Sequence, residues 1–160
     1  MEKVYYRSPI GAVEITGTQE GIESISLLDA DMTTSESIPA FLSDAFLQIG
    51  QYFSGTLKSF DLKLNPKGTE FQKKVWAELM EIPYGKTKSY MAVAVKLGDP
   101  KSIRAVGTAN GRNPIAIVVP CHRVIGSNGD LTGYAGGLWR KKWLLEHEGV
   151  LGKDTQGSLF

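Results

Sequence analysis

The chain has one cysteine, Cys121, and only two histidines, His122 and His147. One thiol cannot close an internal disulfide or build a cysteine zinc cluster. Two histidines without an HExxH-type spacing do not make a metal centre, so neither a metal ion nor another cofactor is expected. Long apolar runs are missing as well: none approaches the roughly 20 residues that cross a bilayer. The N-terminal MEKVYYRSPIG lacks the basic head, apolar centre and small-residue cleavage site of a secretory signal. The protein is therefore expected to be cytoplasmic, free of membrane attachment and monomeric. Internal repeats are absent too. Acidic residues nearly vanish from one region: between Lys86 and Arg123 there are seven basic residues, and the only acid is Asp99.

What is present fits a soluble globular chain. Its 160 residues, 42% of them apolar, hold one ordinary domain or two small ones. The formal net charge of +1 conceals an asymmetry. Residues 1–65 carry four basic residues against nine acids, a net of −5, and the remainder carries fourteen against eight, a net of +6. A clustered basic face is the electrostatic footprint of nucleic-acid binding, although a solvated surface gives the same count.

The N-terminal part reads as an antiparallel meander. VYYRS, AVEITGT and IESISLL are strand candidates, separated by turn signals at Pro9-Ile10-Gly11 and Glu20-Gly21. Residues 29–37 read as loop. IPAFLSDAFLQIGQYFSG places Phe41, Ala45, Phe46, Ile49 and Phe53 at helical spacing, with Gly55 just beyond. FDLKL alternates like one more strand. Asn65-Pro66-Lys67-Gly68 is a linker, which sets domains at 1–65 and 66–152 and leaves 153–160 as a flexible tail. The second domain turns helical. Thr69 and Gln72 form a capping box for a helix with Phe71, Val75, Trp76, Leu79 and Met80 on one side. A second helix is expected over 87–97. Gly98 is placed to end it, Asp99 to cap the next one and Pro100 to occupy that helix's first turn. Two short helices joined so tightly read as a helix-turn-helix. The following helix, KSIRAVGTANG, carries Lys101, Arg104 and Thr108 on one face, and Ile103 and Val106 can face the core. Its small residues Ala105, Gly107, Ala109 and Gly111 permit close approach to a docking surface. A glycine-rich loop, GSNGDLTGYAGGL, then leads to a last helix, GLWRKKWLLEHEG, which holds Trp143, Leu144 and Glu148 and ends at Gly149.

The lone cysteine lies in IAIVVPCHRV. A free cysteine is most often a small buried hydrophobe. Here the β-formers before it predict an extended segment, and Pro120 restricts Val119 to the same region. The thiol is then expected at the end of a stiff strand. His122 could favour the nucleophilic thiolate. On an extended chain, though, neighbouring side chains point to opposite faces, so their contact needs a turn or a bridging water.

PCHRV, preceded by RAVGTANGRNP and followed by GYAGGL and HEG, resembles the O6-alkylguanine-DNA alkyltransferase family, as does FQKKVWAELMEIPYGKTKSY. The similarity spans about residues 69–149. It implies an α/β N-terminal domain, an antiparallel sheet with a helix in a ribonuclease H-like layout, followed by a mainly helical DNA-binding domain with a helix-turn-helix. The resemblance makes Cys121 the alkyl acceptor, His122 the base acting through a water, and Glu148 its orienting acid. Tyr90 becomes the donor to the purine, and Asn113 the brace of the active-site turn. The backbone at Val124 and the loop residues Tyr134, Ala135 and Gly136 would line the base pocket. Contacts to double-stranded DNA carrying alkylated guanine would come through the minor groove from Ser89, Lys101, Arg104, Ala105, Thr108 and Arg112. Arg104 would fill the gap left by the flipped base. One departure stands out: the family often has serine where this chain has Ala135.

The tail Gln156-Gly157-Ser158-Leu159-Phe160 is similar to the short peptides that bind the sliding clamp, with Gly157 where leucine is usual; Gln156, Leu159 and Phe160 would be its anchors. Three rival readings are a non-enzymatic binder of alkylated DNA, a helix-turn-helix regulator and a cysteine hydrolase. The basic cluster predicts that affinity for duplex DNA falls steeply with added salt, as measured by a fluorescence-anisotropy titration. Salt-insensitive binding would contradict a basic docking face.

Overall fold

The computed structural model describes residues 2–150. The tail residues Gln156, Leu159 and Phe160 lie outside the described residues. Two compact units are present. The first comprises residues 2–67 with 114–116, and the second 68–113 with 117–150.

In the first unit, β1 (Glu2–Ser8), β2 (Gly11–Thr18) and β3 (Gly21–Leu28) form an antiparallel meander in the order β1-β2-β3. The turn after β1 closes tightly because the Ser8 hydroxyl donates to the Gly11 carbonyl and accepts from the Ile10 amide. Gly11, at φ 106°, adopts a conformation that favours glycine. The middle strand is buried along most of its length, through Ala12, Val13, Ile15 and Thr16. α1 (Ala40–Ser54) packs on the sheet, where the Tyr6 ring stacks on Phe53 and meets Phe46 edge-on. Its buried stripe is Leu42, Ala45, Ile49, Tyr52 and Phe53. Phe41, expected inside, is 36% exposed; Leu42 takes the core position instead. The fourth strand expected at FDLKL is absent. Only Leu64 bridges to Ile22 there. The Gln48 side chain occupies both backbone groups of Asp61, which removes them from strand pairing. Pro114–Ala116 also belong to this unit: Ile25 donates to the Pro114 carbonyl and accepts from Ala116.

The second unit begins with α2 (Glu70–Leu79), whose capping box at Thr69 and Gln72 forms as the sequence predicts. Val75, Trp76 and Leu79 are buried, whereas Phe71 and Met80 face outward. Gly68 is required by packing, since a Cβ there would lie 2.5 Å from the Trp76 ring. The Trp76 indole donates to the Ala109 carbonyl and ties α2 to α4 (Ile103–Gly111). The helix expected from 87 starts later. Ser89 caps α3 (Tyr90–Lys96), and β4 (Lys88–Ser89) pairs in parallel with β5 (Val124–Ile125). Gly98, at φ 96°, turns the chain after α3. Asp99 then accepts from the Lys101 amide and starts a 3-10 turn, Pro100–Ser102, that leads into α4. α5 (Leu138–His147) closes the unit, with Leu144 and Leu145 buried. Glu148, expected inside this helix, is its C-cap, and Gly149 follows at φ 81°.

Candidate active site

The segment before the cysteine is not a strand. Residues 116–119 form a turn, and Ile117 takes φ 72°, which is rare for a β-branched residue. Ile117 is fully buried, and that burial holds a conformation costing on the order of 1–3 kcal/mol. Cys121, His122 and Arg123 then form one 3-10 turn. At three residues per turn, successive side chains splay by about 120° instead of facing opposite ways. The chain therefore turns through Cys121–Arg123 and does not run extended past the thiol.

His122 is fully buried, and its Nε2 lies 2.7 Å from Glu148 Oε2. Glu148 is shared. Arg123 Nε donates to Oε1 at 2.8 Å and Nη2 to Oε2 at 3.1 Å, while Arg123 Nη1 holds the Ile82 carbonyl at 2.7 Å. The Gly85 amide also donates to Oε1. Burial alone would raise the Glu148 pKa, but the bonds and charges of His122 and Arg123 hold it far below the usual carboxylate range. Burial pushes the His122 pKa below its ordinary value, against the pull of Glu148, and the Arg123 and Lys141 charges push the same way. His122 is therefore neutral near pH 7. A carboxylate only accepts, so the ring proton sits on Nε2 and Nδ1 keeps a lone pair. That Nδ1 has no hydrogen-bond partner among the described residues.

Cys121 is 7% exposed, and burial raises its thiol pKa. The Asn113 side chain, the Lys141 charge and the backbone oppose that rise. Asn113 Nδ2 also donates to the Val119 carbonyl at 2.8 Å and so braces the turn. The resting group is thus a protonated thiol that needs a base to become a nucleophile. Tyr90, at the start of α3, accepts from the Thr132 hydroxyl at 2.9 Å. Its own proton stays free for donation. Val124 is fully buried, and the Tyr134 hydroxyl is buried without a partner among the described residues. The Tyr134 pKa is raised well above its ordinary value, by burial first and by the Cys121 charge second. Ala135 is exposed and Gly136 half-buried. Arg104, Ala105 and Thr108 are exposed on one face of α4, with exposed Lys101 before the helix and exposed Arg112 after it. Ser89 is half-buried, and its hydroxyl caps α3. Among the described residues, no cluster of histidine, cysteine and acids could hold a metal ion, and no helix is long and apolar enough to cross a membrane.

Two family profiles match. The 6-O-methylguanine DNA methyltransferase DNA-binding domain covers residues 70–150, and the ribonuclease-like domain of the same family covers 1–66. A Methanosarcina acetivorans relative, methylated-DNA–protein-cysteine methyltransferase, is 50% identical over 153 residues, covering 90% of this chain and 96% of its own. The crystal structure of Mycobacterium tuberculosis O6-methylguanine methyltransferase superposes with a TM-score of 0.80 at 46% identity and 90% coverage of both chains. The same organism's protein in complex with DNA gives 0.81 at 47% identity, again with 90% coverage of both.

The chain belongs to the 6-O-methylguanine DNA methyltransferase family.

Sequence reasoning missed three residues of the site in this family member. Arg123 anchors Glu148. Asn110 is buried and donates to the Cys121 carbonyl at 3.4 Å. Lys141 is fully buried, with its ammonium on two backbone carbonyls. Arg123 stands inside PCHRV, so its neighbours were a signal. Lys141 sits in a run of three basic residues that looks like a solvated helix face. Arg123→Met removes the guanidinium charge that lowers the His122 pKa, so the His122 titration followed by NMR is expected to move to higher pH. Stability measured by urea unfolding should fall by about 3–5 kcal/mol, the cost of breaking a buried ion pair. An unchanged His122 midpoint would contradict the shared-carboxylate reading.

Proposed function

We propose that this protein repairs DNA by transferring the alkyl group of O6-alkylguanine irreversibly onto its own Cys121. One observation carries the assignment of roles: the imidazole beside the thiol has its Nε2 committed to Glu148 and its Nδ1 unpaired. The thiol proton passes to Nδ1 through a water. The sulfur attacks the alkyl carbon in line, the new S–C bond forms, and the C–O bond breaks. The electron pair stays on the purine, and the Tyr90 hydroxyl supplies the proton that neutralises it. Glu148 stabilises the imidazolium, the role of the third member of a nucleophile–base–acid triad. The product is a thioether, which offers water no acidic leaving group, so each molecule acts once.

The target base is stacked in a duplex and has to leave it, at a cost of a few kcal/mol. In this reading α3 and α4 act as a helix-turn-helix that enters the minor groove. The exposed α4 face fits that role: Ala105 allows close approach, and Lys101, Thr108 and Arg112 meet the backbone. Ser89 contacts the backbone beside α3. Arg104 fills the place of the extruded base. Val124, Tyr134, Ala135 and Gly136 line its pocket, and Asn113 keeps the turn in shape. The Gln156–Phe160 tail is proposed as a sliding-clamp ligand through Gln156, Leu159 and Phe160. A non-enzymatic binder of alkylated DNA would share the DNA-binding face, but it would have no use for a thiol beside an unpaired imidazole nitrogen.

Intact-mass spectrometry after incubation with an O6-methylguanine duplex tests this reading. One added methyl, located on Cys121 and absent from Cys121→Ser, is the expected result. Binding of the duplex without any mass gain would overturn the enzymatic reading in favour of the binder.

A further inference from the structure

Lys141 is a fully buried cation for which the proposed chemistry has no role. It lies on α5 with no exposed surface, and its Nζ donates to the Val124 carbonyl at 2.7 Å and to the Thr132 carbonyl at 2.8 Å. Burial lowers its pKa to about 8, against the opposing influence of Cys121. A buried lysine costs several kcal/mol in desolvation unless its donors are satisfied. A methionine of similar shape would fill the same space without that cost, so packing does not explain the ammonium.

Its partners do. Val124 begins β5, directly after the Cys121–Arg123 turn. Thr132 lies in the loop between β5 and α5, and elsewhere that loop bonds mostly to itself: Gly126 to Asp130, Gly129 to Gly126, Asn128 to Asp130. A second link to α5, Arg140 Nη1 to the Gly136 carbonyl at 3.0 Å, holds the loop's far end. Lys141 is thus the tie at the loop's centre. The hydroxyl of that same Thr132 donates to Tyr90 at 2.9 Å. Lys141 Nζ lies 5.9 Å from the centre of the Tyr90 ring, so the cation, the threonine and the phenol form one connected group.

We propose that Lys141 is a positioning residue for alkyl transfer: by clamping the Val124 and Thr132 carbonyls it holds the Thr132 hydroxyl on Tyr90 and so fixes the phenol that receives the departing purine. The inference rests on the alkyl-transfer reading. Lys141 touches no reacting atom; it acts through Thr132. Thr132 accordingly serves as the connecting residue, and the loop serves as a rigid wall only while the ammonium is in place.

Single-turnover methyl transfer from an O6-methylguanine duplex, measured over a range of protein concentrations, separates the two claims. Transfer by the wild-type protein establishes the reaction itself, and the variants then test the clamp. Lys141→Met is expected to lower the saturating transfer rate at least tenfold while the half-saturating concentration stays within twofold. Thr132→Val is expected to slow transfer about three- to tenfold. The double variant should be no more than twofold slower than Lys141→Met alone, because both changes break one chain of contacts. A Lys141→Met rate within twofold of wild type, or losses that multiply in the double variant, would overturn the proposal. Should Lys141→Met fail to fold, Thr132→Val, at an exposed side chain, still decides: a wild-type rate overturns it.

Discussion

The second unit is organised around one buried carboxylate. Glu148 receives Arg123 at both oxygens, His122 at one and the Gly85 amide at the other. Taking a carboxylate out of water is expensive, and only a nearly complete set of donors makes it tolerable. The arrangement therefore specifies its surroundings. α5 has to end where Glu148 can turn inward. The 3-10 turn has to present His122 and Arg123 together. The chain around Ile82–Gly85 has to offer a carbonyl to Arg123 and an amide to the carboxylate. One charge thereby fixes three separate segments, and with them the position of Cys121.

The same charge sets the chemistry. With Arg123 neutralising Glu148, the imidazole is not forced into its charged form, and burial keeps it neutral. Its proton goes to the carboxylate side, which leaves a base on the other side of the ring. The thiol needs that base because burial holds it protonated at rest. A buried, unreactive thiol also suits the single-use reaction proposed above, because an exposed thiolate would be spent on any electrophile. On α3, the Tyr90 hydroxyl accepts from Thr132, which suits the donor role proposed for it.

Much of the fold was legible because its signals are local. The meander followed from alternation and turns, the start of α2 from the Thr69–Gln72 capping box, and the α3–α4 turn from Gly98-Asp99-Pro100. Where the sequence misled, a non-local contact had overruled a local preference. FDLKL alternates, but the Gln48 side chain takes its backbone groups. IAIVV is rich in β-formers, but buried Ile117 adopts a left-handed conformation that no propensity favours. Of the site, the motif pointed to Cys121, His122 and Glu148. The role of Arg123 and the burial of Lys141 depend on what the folded chain brings opposite them, and one side chain's position in a basic helix carries no trace of that.

The central claim is the state of one ring: His122 neutral, its proton on Nε2 toward Glu148, its Nδ1 bare. A long-range nitrogen–proton correlation NMR spectrum of the imidazoles at pH 7 reads this directly, because protonated and bare ring nitrogens resonate in separate regions. The account predicts a protonated Nε2 and an unprotonated Nδ1 for His122. An imidazolium with both nitrogens protonated, or the opposite tautomer, would contradict it.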